Sequence, residues 1–136
     1  MSESVVHQVL VKRMADWVAE ELLGGNSASI LLDSPSIKLT GRPPTINGHV
    51  PDLFADDKTS RLLVIGEAKS ARDLETDRSE KQIIAFLEYC SIHKDALFVL
   101  AVPWHRTRLA RNLLRIWKGR MGSQSVSTEV LDMLPG

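Results

Sequence analysis

The sequence predicts an α/β domain built on a mixed sheet with helices on both faces. Three observations carry that prediction. Apolar residues recur at helical spacing in three segments free of glycine and proline, 5–23, 79–92 and 107–118. Two β-rich runs flank the turn Asp56-Asp57-Lys58 and read as a hairpin. The apolar run 96–102 is stopped by Pro103 and reads as a buried strand parallel to a neighbour. With 136 residues, the chain is expected to be a single domain spanning 1–136.

The elements follow in order. Val6, Leu10, Met14, Trp17 and Val18 give the first helix its apolar face. Ser2 or Ser4 can cap its start, and Gly24-Gly25-Asn26 ends it. A β-branched strand is expected at 29–32. Gly41-Arg42-Pro43-Pro44 breaks the pattern, and Asn47-Gly48 marks a turn. The hairpin strands are expected near 49–55 and 61–70, with Leu62-Leu63-Val64-Ile65 as the apolar run of the second. The 79–92 helix presents Ile83, Phe86, Leu87 and Cys90 on one face. After the 96–102 strand come the 107–118 helix and a short strand at 125–131. A meander of three strands followed by crossovers through helices gives the mixed sheet.

Composition narrows the function classes. Seventeen Lys and Arg balance seventeen Asp and Glu, which argues against a histone-like or polybasic protein. Hydrophobic residues at 43% and charged residues at 25% fit a globular chain. Cys90 stands alone, so neither an internal disulfide nor a cysteine-based zinc site is available. Its helical apolar setting predicts an inert packed thiol. No apolar run reaches the ~18 residues of a membrane span, and the expected location is the cytoplasm.

The stretch that carries chemistry is Pro51-Asp52, then Glu67-Ala68-Lys69. Strand side chains alternate, so Glu67 and Lys69 share one face, about 6.6 Å apart along the strand. Asp52 lies on the preceding strand of the hairpin. Two carboxylates on adjacent strands can share a hard cation through oxygen ligands. A lysine beside them adds a compact positive charge. Carboxylates, Mg²⁺ and lysine together are what phosphodiester hydrolysis requires. Taken singly, Glu-x-Lys is also a common solvated strand face, and Asp after Pro a common turn.

These residues resemble the signature of the PD-(D/E)XK phosphodiesterase superfamily, which includes restriction endonucleases and Holliday-junction resolvases. The expected element order resembles that fold too, over roughly residues 3–118. The resemblance implies a restriction-endonuclease-like αβββαβ core. It implies Asp52, Glu67 and the Ala68 carbonyl as ligands of Mg²⁺ (or Mn²⁺), and Lys69 as the group that assists the attacking water. Members often carry an acid on the first helix three residues before a core leucine. Here that position is His7, before Leu10. His7 can substitute in the site or be a structural histidine, and Glu3 or Glu21 can take the acid's role instead. Members of the RecB kind carry Gln-x-x-x-Tyr on the helix after the motif. Gln82 stands there, with Phe86 at the Tyr position and Tyr89 on the same edge. Ser79-x-x-Gln82 equally satisfies a capping box, in which Gln82 reaches back to the helix start.

Charge is segregated within the neutral total. Residues 51–88 hold nine acids against six bases, whereas 104–120 hold six bases and no acid. Arg108, Arg111, Arg115 and Lys118 form one stripe of the 107–118 helix, opposite Leu109, Leu113, Ile116 and Trp117. The stripe is the candidate nucleic-acid-binding surface, although a solvated face and favourable helix-dipole placement would produce it as well. Trp104 and His105 either touch substrate or pack a turn. The polar loop 72–78 lies just beyond the site, where mobile loops commonly touch substrate, and Ser70 and Asp73 could support the site. The combined expectation is a metal-dependent nuclease acting on DNA, with a homodimer as the means of cutting both strands. The alternative is a non-catalytic nucleic-acid-binding or assembly subunit that keeps the fold.

Overall fold

The computed structural model of the chain describes residues 4–34, 41–122 and 125–134. Helix α1 (Val5–Trp17) continues into a π-helical turn, Val18–Leu22. Strands β1 (Ile30–Leu32), β2 (Leu53–Asp57) and β3 (Leu62–Ala68) follow, then helix α2 (Asp77–Ser91) and strand β4 (Ala96–Pro103). A single 3-10 turn, Trp104–Arg106, leads into helix α3 (Thr107–Met121) and strand β5 (Ser127–Leu134).

The five strands form one sheet in the order β1-β2-β3-β4-β5. Pairs β1–β2 and β2–β3 are antiparallel; β3–β4 and β4–β5 are parallel. The α/β class and the mixed sheet are therefore as the sequence predicts. Two apolar layers sandwich the sheet. One joins Leu10, Val11, Met14 and Val18 of the first helical segment to Leu53, Val64, Val99 and Leu131. The other joins Ile83, Phe86, Leu87 and Cys90 of α2 and Ala110, Leu114 and Trp117 of α3 to Ile65, Phe98 and Leu100. Each large apolar side chain taken fully from water contributes roughly 1.5–3 kcal/mol. Among the described residues, no helix is long and apolar enough to cross a membrane.

Some expectations shift. In the first helical segment the buried residues include Leu10, Val11, Met14 and Val18, while Val6 is exposed and Trp17 half-buried. Ser4 is the N-cap, its hydroxyl accepting from the His7 amide at 3.1 Å; Ser2 lies outside the described residues. Strand β2 starts at Leu53 rather than near His49. The residues before it close a separate turn, where Asn47 and Gly48 take positive φ (50° and 87°) and Ile46 pairs with His49. That is the left-handed geometry an Asn-Gly turn supplies. Asn47 Nδ2 ties this turn to the Ala85 carbonyl of α2 at 3.0 Å. Pro51 then has no amide to give a ladder, and the Asp52 amide is used elsewhere.

Gly66 fixes how closely α1 approaches the sheet. A Cβ there would lie 2.8 Å from Met14 Sδ and 3.1 Å from Leu53 Cβ. The missing side chain lets α1 seat on β3 beside the Glu67 position.

Candidate active site

The sheet brings Asp52, Glu67 and Lys69 together at the carboxyl end of β3. Leu53 pairs with Gly66, so Asp52 and Glu67 face each other one step beyond. The contact is direct: the Asp52 amide donates to Glu67 Oε1 at 3.0 Å. In return the Ala68 amide donates to Asp52 Oδ2 at 2.8 Å. Each carboxylate is thus held by the other strand's main chain, and both residues are buried, at 8% and 4% exposure. This use of the Asp52 amide is why the ladder stops at Leu53.

Alternation along β3 places Ile65, Glu67 and Lys69 on the α2 side. Lys69 Nζ lies 3.2 Å from Glu67 Oε2 and donates to Gln82 Oε1 of α2 at 2.5 Å. Gln82 is therefore not the partner of a capping box. Helix α2 starts two residues earlier than expected, and Thr76 is its cap, accepting from the Ser79 amide at 3.1 Å. The freed Gln82 side chain orients the lysine.

His7 completes the cluster from the opposite side of the sheet. Its Nε2 lies 3.1 Å from Asp52 Oδ2. Glu21, in the π-helical turn, is fourteen residues away, about 21 Å along the helix axis. Glu3 lies outside the described residues. Phe86 is fully buried against Phe98 and His49, and Tyr89 stacks on His93, so neither ring joins the site.

The electrostatics are those of crowded negative charge. Burial, and then the neighbouring Asp52 charge, push the Glu67 carboxyl well above the usual carboxylate range, with Lys69 opposing. The adjoining loop is tied down rather than loose. Ser70 Oγ donates to Asp73 Oδ2 at 3.0 Å, and the Asp73 carbonyl accepts from the Thr76 and Ser79 hydroxyls. Leu74 anchors it in the core.

The basic stripe lies apart from this cluster. Helix α2 packs on β3 and β4, while α3 packs on β4 and β5. Arg108, Arg111 and Arg115 are exposed and Lys118 half-buried. Arg111, Arg115 and Lys118 line an open groove of about 260 Å³ against β5. That groove is two strands from β3, roughly 10 Å of sheet width. Of the four stripe residues, only Arg108, in the first turn of α3, shares the end of the sheet that carries Lys69; Lys118 is about 15 Å farther along. Tertiary structure also brings acids that the linear stretch lacks. Glu129 of β5 lines the groove, and Glu80 of α2 pairs with Arg120 at 2.9 Å. Trp104 does not pack its turn but stands 62% exposed, an alternative the sequence leaves open.

The sequence predicts an oxygen-donor site for a hard cation. Among the described residues no group of three or more His, Cys, Asp or Glu side chains forms a cation cage. Magnesium typically takes one or two carboxylates and keeps its remaining waters, which a two-carboxylate pair satisfies. Burial and the adjoining Asp52 raise the Glu67 carboxyl, a cost that a cation held between the two groups would offset. The chain matches no protein-family model, and no curated protein or solved structure matches it.

Proposed function

We propose that the chain is a metal-dependent phosphodiesterase of the PD-(D/E)XK kind, with a restriction-endonuclease-like core, hydrolysing DNA. The observation that carries this reading is the interlocked pair Asp52–Glu67 with Lys69 and Gln82 beside it. Asp52, Glu67 and the Ala68 carbonyl would hold Mg²⁺ or Mn²⁺. Bound there, the ion supplies Lewis-acid polarisation of the scissile phosphate and neutralises its charge.

The chain's own groups do the rest. Lys69 Nζ, fixed between Glu67 and Gln82, offers an ammonium to the attacking water and to charge developing on phosphate oxygens. His7 and the Ala68 amide hold the Asp52 carboxylate in one orientation, and the Asp52 amide does the same for Glu67. Preset groups of this kind need no rearrangement when charge develops. The exposed arginines of α3 would take phosphates farther along a bound strand. Cutting both strands of a duplex would take two such sites, hence two copies of the chain.

The test is cleavage of a panel of duplex, branched and single-stranded DNA and of RNA, with Mg²⁺ and with EDTA. Cleavage of DNA that needs Mg²⁺ is expected, and Asp52→Asn or Lys69→Ala should each lower it at least about a hundredfold. Circular dichroism should show both variants folded. No cleavage of any substrate, or undiminished activity in Asp52→Asn, overturns the reading. Salt-sensitive, metal-independent binding indifferent to Lys69→Ala would instead identify a non-catalytic binding subunit.

A further inference from the structure

Strands β3 and β4 end side by side: Ala68 pairs with Ala101, and the Lys69 amide donates to the Ala101 carbonyl at 3.0 Å. Three residues beyond Ala101 the chain turns through Trp104, whose side chain lies open to water. A Trp that packs a turn is buried; this one instead rests edge-on against His105, ring centroids 5.7 Å apart at 76°. With Ala68 opposite Ala101, Trp104 is two residues beyond the position opposite Lys69, and one strand across puts it roughly 8 Å from Lys69. That distance matches about two nucleotides of stacked strand at 3.4 Å each.

Two arginines, Arg106 and Arg108, follow it closely in the chain. Strand β5, packed on the same turn, brings the exposed Asp132 beside them. An aromatic face beside cations, at the site's end of the sheet, is the combination that takes an unpaired base and its phosphates.

We infer that Trp104 is a stacking platform for an unpaired nucleobase, so that the preferred substrate has a single-stranded segment reaching the Asp52–Glu67 cluster. This rests on the phosphodiesterase reading above and names the substrate class of that site. Stacking is indifferent to base identity, because every base has a π face, so little sequence preference is expected at this position.

The test uses the full chain in EDTA, so that binding is read without cleavage. Fluorescein-labelled oligo(dT) and a blunt duplex of equal length are titrated by anisotropy. Trp104→Ala should weaken oligo(dT) binding roughly tenfold, the loss of one base–aromatic stack, and leave the duplex unchanged. Trp104→Phe should retain most of the affinity. Intrinsic fluorescence should fall on adding oligo(dT) to the native chain and not to Trp104→Ala. Wild-type oligo(dT) affinity in Trp104→Ala, an equal loss on duplex, or no oligo(dT) binding by the native chain each overturns the inference. A native chain that cleaves blunt duplex yet does not bind oligo(dT) overturns it while leaving the phosphodiesterase reading intact. Inactivity on every substrate with Trp104-dependent oligo(dT) binding does the reverse.

Discussion

The β2–β3 hairpin has an aspartate at each end, and the two are equally buried at 8% exposure. At the closed end, Asp57 Oδ2 accepts from the Ser60 amide at 2.9 Å and Oδ1 from the Ser29 hydroxyl at 3.1 Å. At the open end, Asp52 Oδ2 likewise accepts from a main-chain amide, that of Ala68. The difference is the second carboxylate. Hydrogen bonds from Ser60 and then Ser29 hold the Asp57 carboxyl below the usual range. Glu67 is pressed against Asp52, and its carboxyl is driven upward by burial and by that neighbouring charge. One aspartate stabilises a turn. The other holds a second carboxyl group against itself in a buried position. Strain of that kind has a reason when a ligand or substrate offsets it.

The largest stability effect that separates the two ends is at Gly66. Gly66→Ala forces Met14 and Leu53 apart from the new methyl group and lifts α1 from the sheet. The expected loss is about 1–3 kcal/mol by urea titration, the usual cost of overpacking. Because α1 also carries His7, cleavage should fall by more than the unfolded fraction explains. Lys58→Ala at the closed end should stay within about 0.5 kcal/mol, as exposed sites do. Equal losses at the two positions would deny the open end its special packing.

How much of the fold and site is legible in the sequence depends on which interactions are local. Alternation alone puts Glu67 and Lys69 on one face, since side chains on a strand have no other choice. The partner of Gln82 is not legible. Ser79-x-x-Gln82 and Thr76-x-x-Ser79 are both local capping patterns, and only the half-buried Lys69 ammonium, which takes Gln82, decides between them. The segment 49–52 looks like strand by composition, but the Asn47–Gly48 turn and the Glu67 carboxylate claim its backbone instead. Likewise the acid-free stretch of α3 gains Glu80 and Glu129 from elements distant in sequence. The restriction-endonuclease-like core stays a matter of resemblance and element order.

The next effect sharpens the contrast between the hairpin and α3. Reversing Arg111 and Arg115 to Glu should weaken DNA binding about tenfold or more at moderate salt. It should also flatten the dependence of log affinity on log salt by about one unit for each phosphate no longer neutralised. Urea midpoints should be unchanged, because both guanidinium groups are exposed. Cleavage at saturating DNA should also persist, as the stripe lies two strands from Glu67. An unchanged salt slope would mean that the stripe is a solvated face only.

The smallest effect belongs to Asp57, and its sign follows from its direction of shift. A carboxyl held low in the folded state binds its proton more weakly there than in the unfolded chain. Its contribution is therefore complete above the unfolded value near 3.9 and fades as pH falls through the lower folded value. Asp57→Asn keeps the shape and an oxygen acceptor for the Ser60 amide but removes the charge. The variant should be slightly less stable than the native chain at pH 7, and the two urea midpoints should converge as pH falls below about 3.9 and the native carboxyl protonates. DNA cleavage at pH 7 should not change, whereas Asp52→Asn removes most of it. A midpoint difference that persists at low pH would assign the Asp57 contribution to shape rather than charge. A loss of cleavage would mean that the closed end of the hairpin also serves the site.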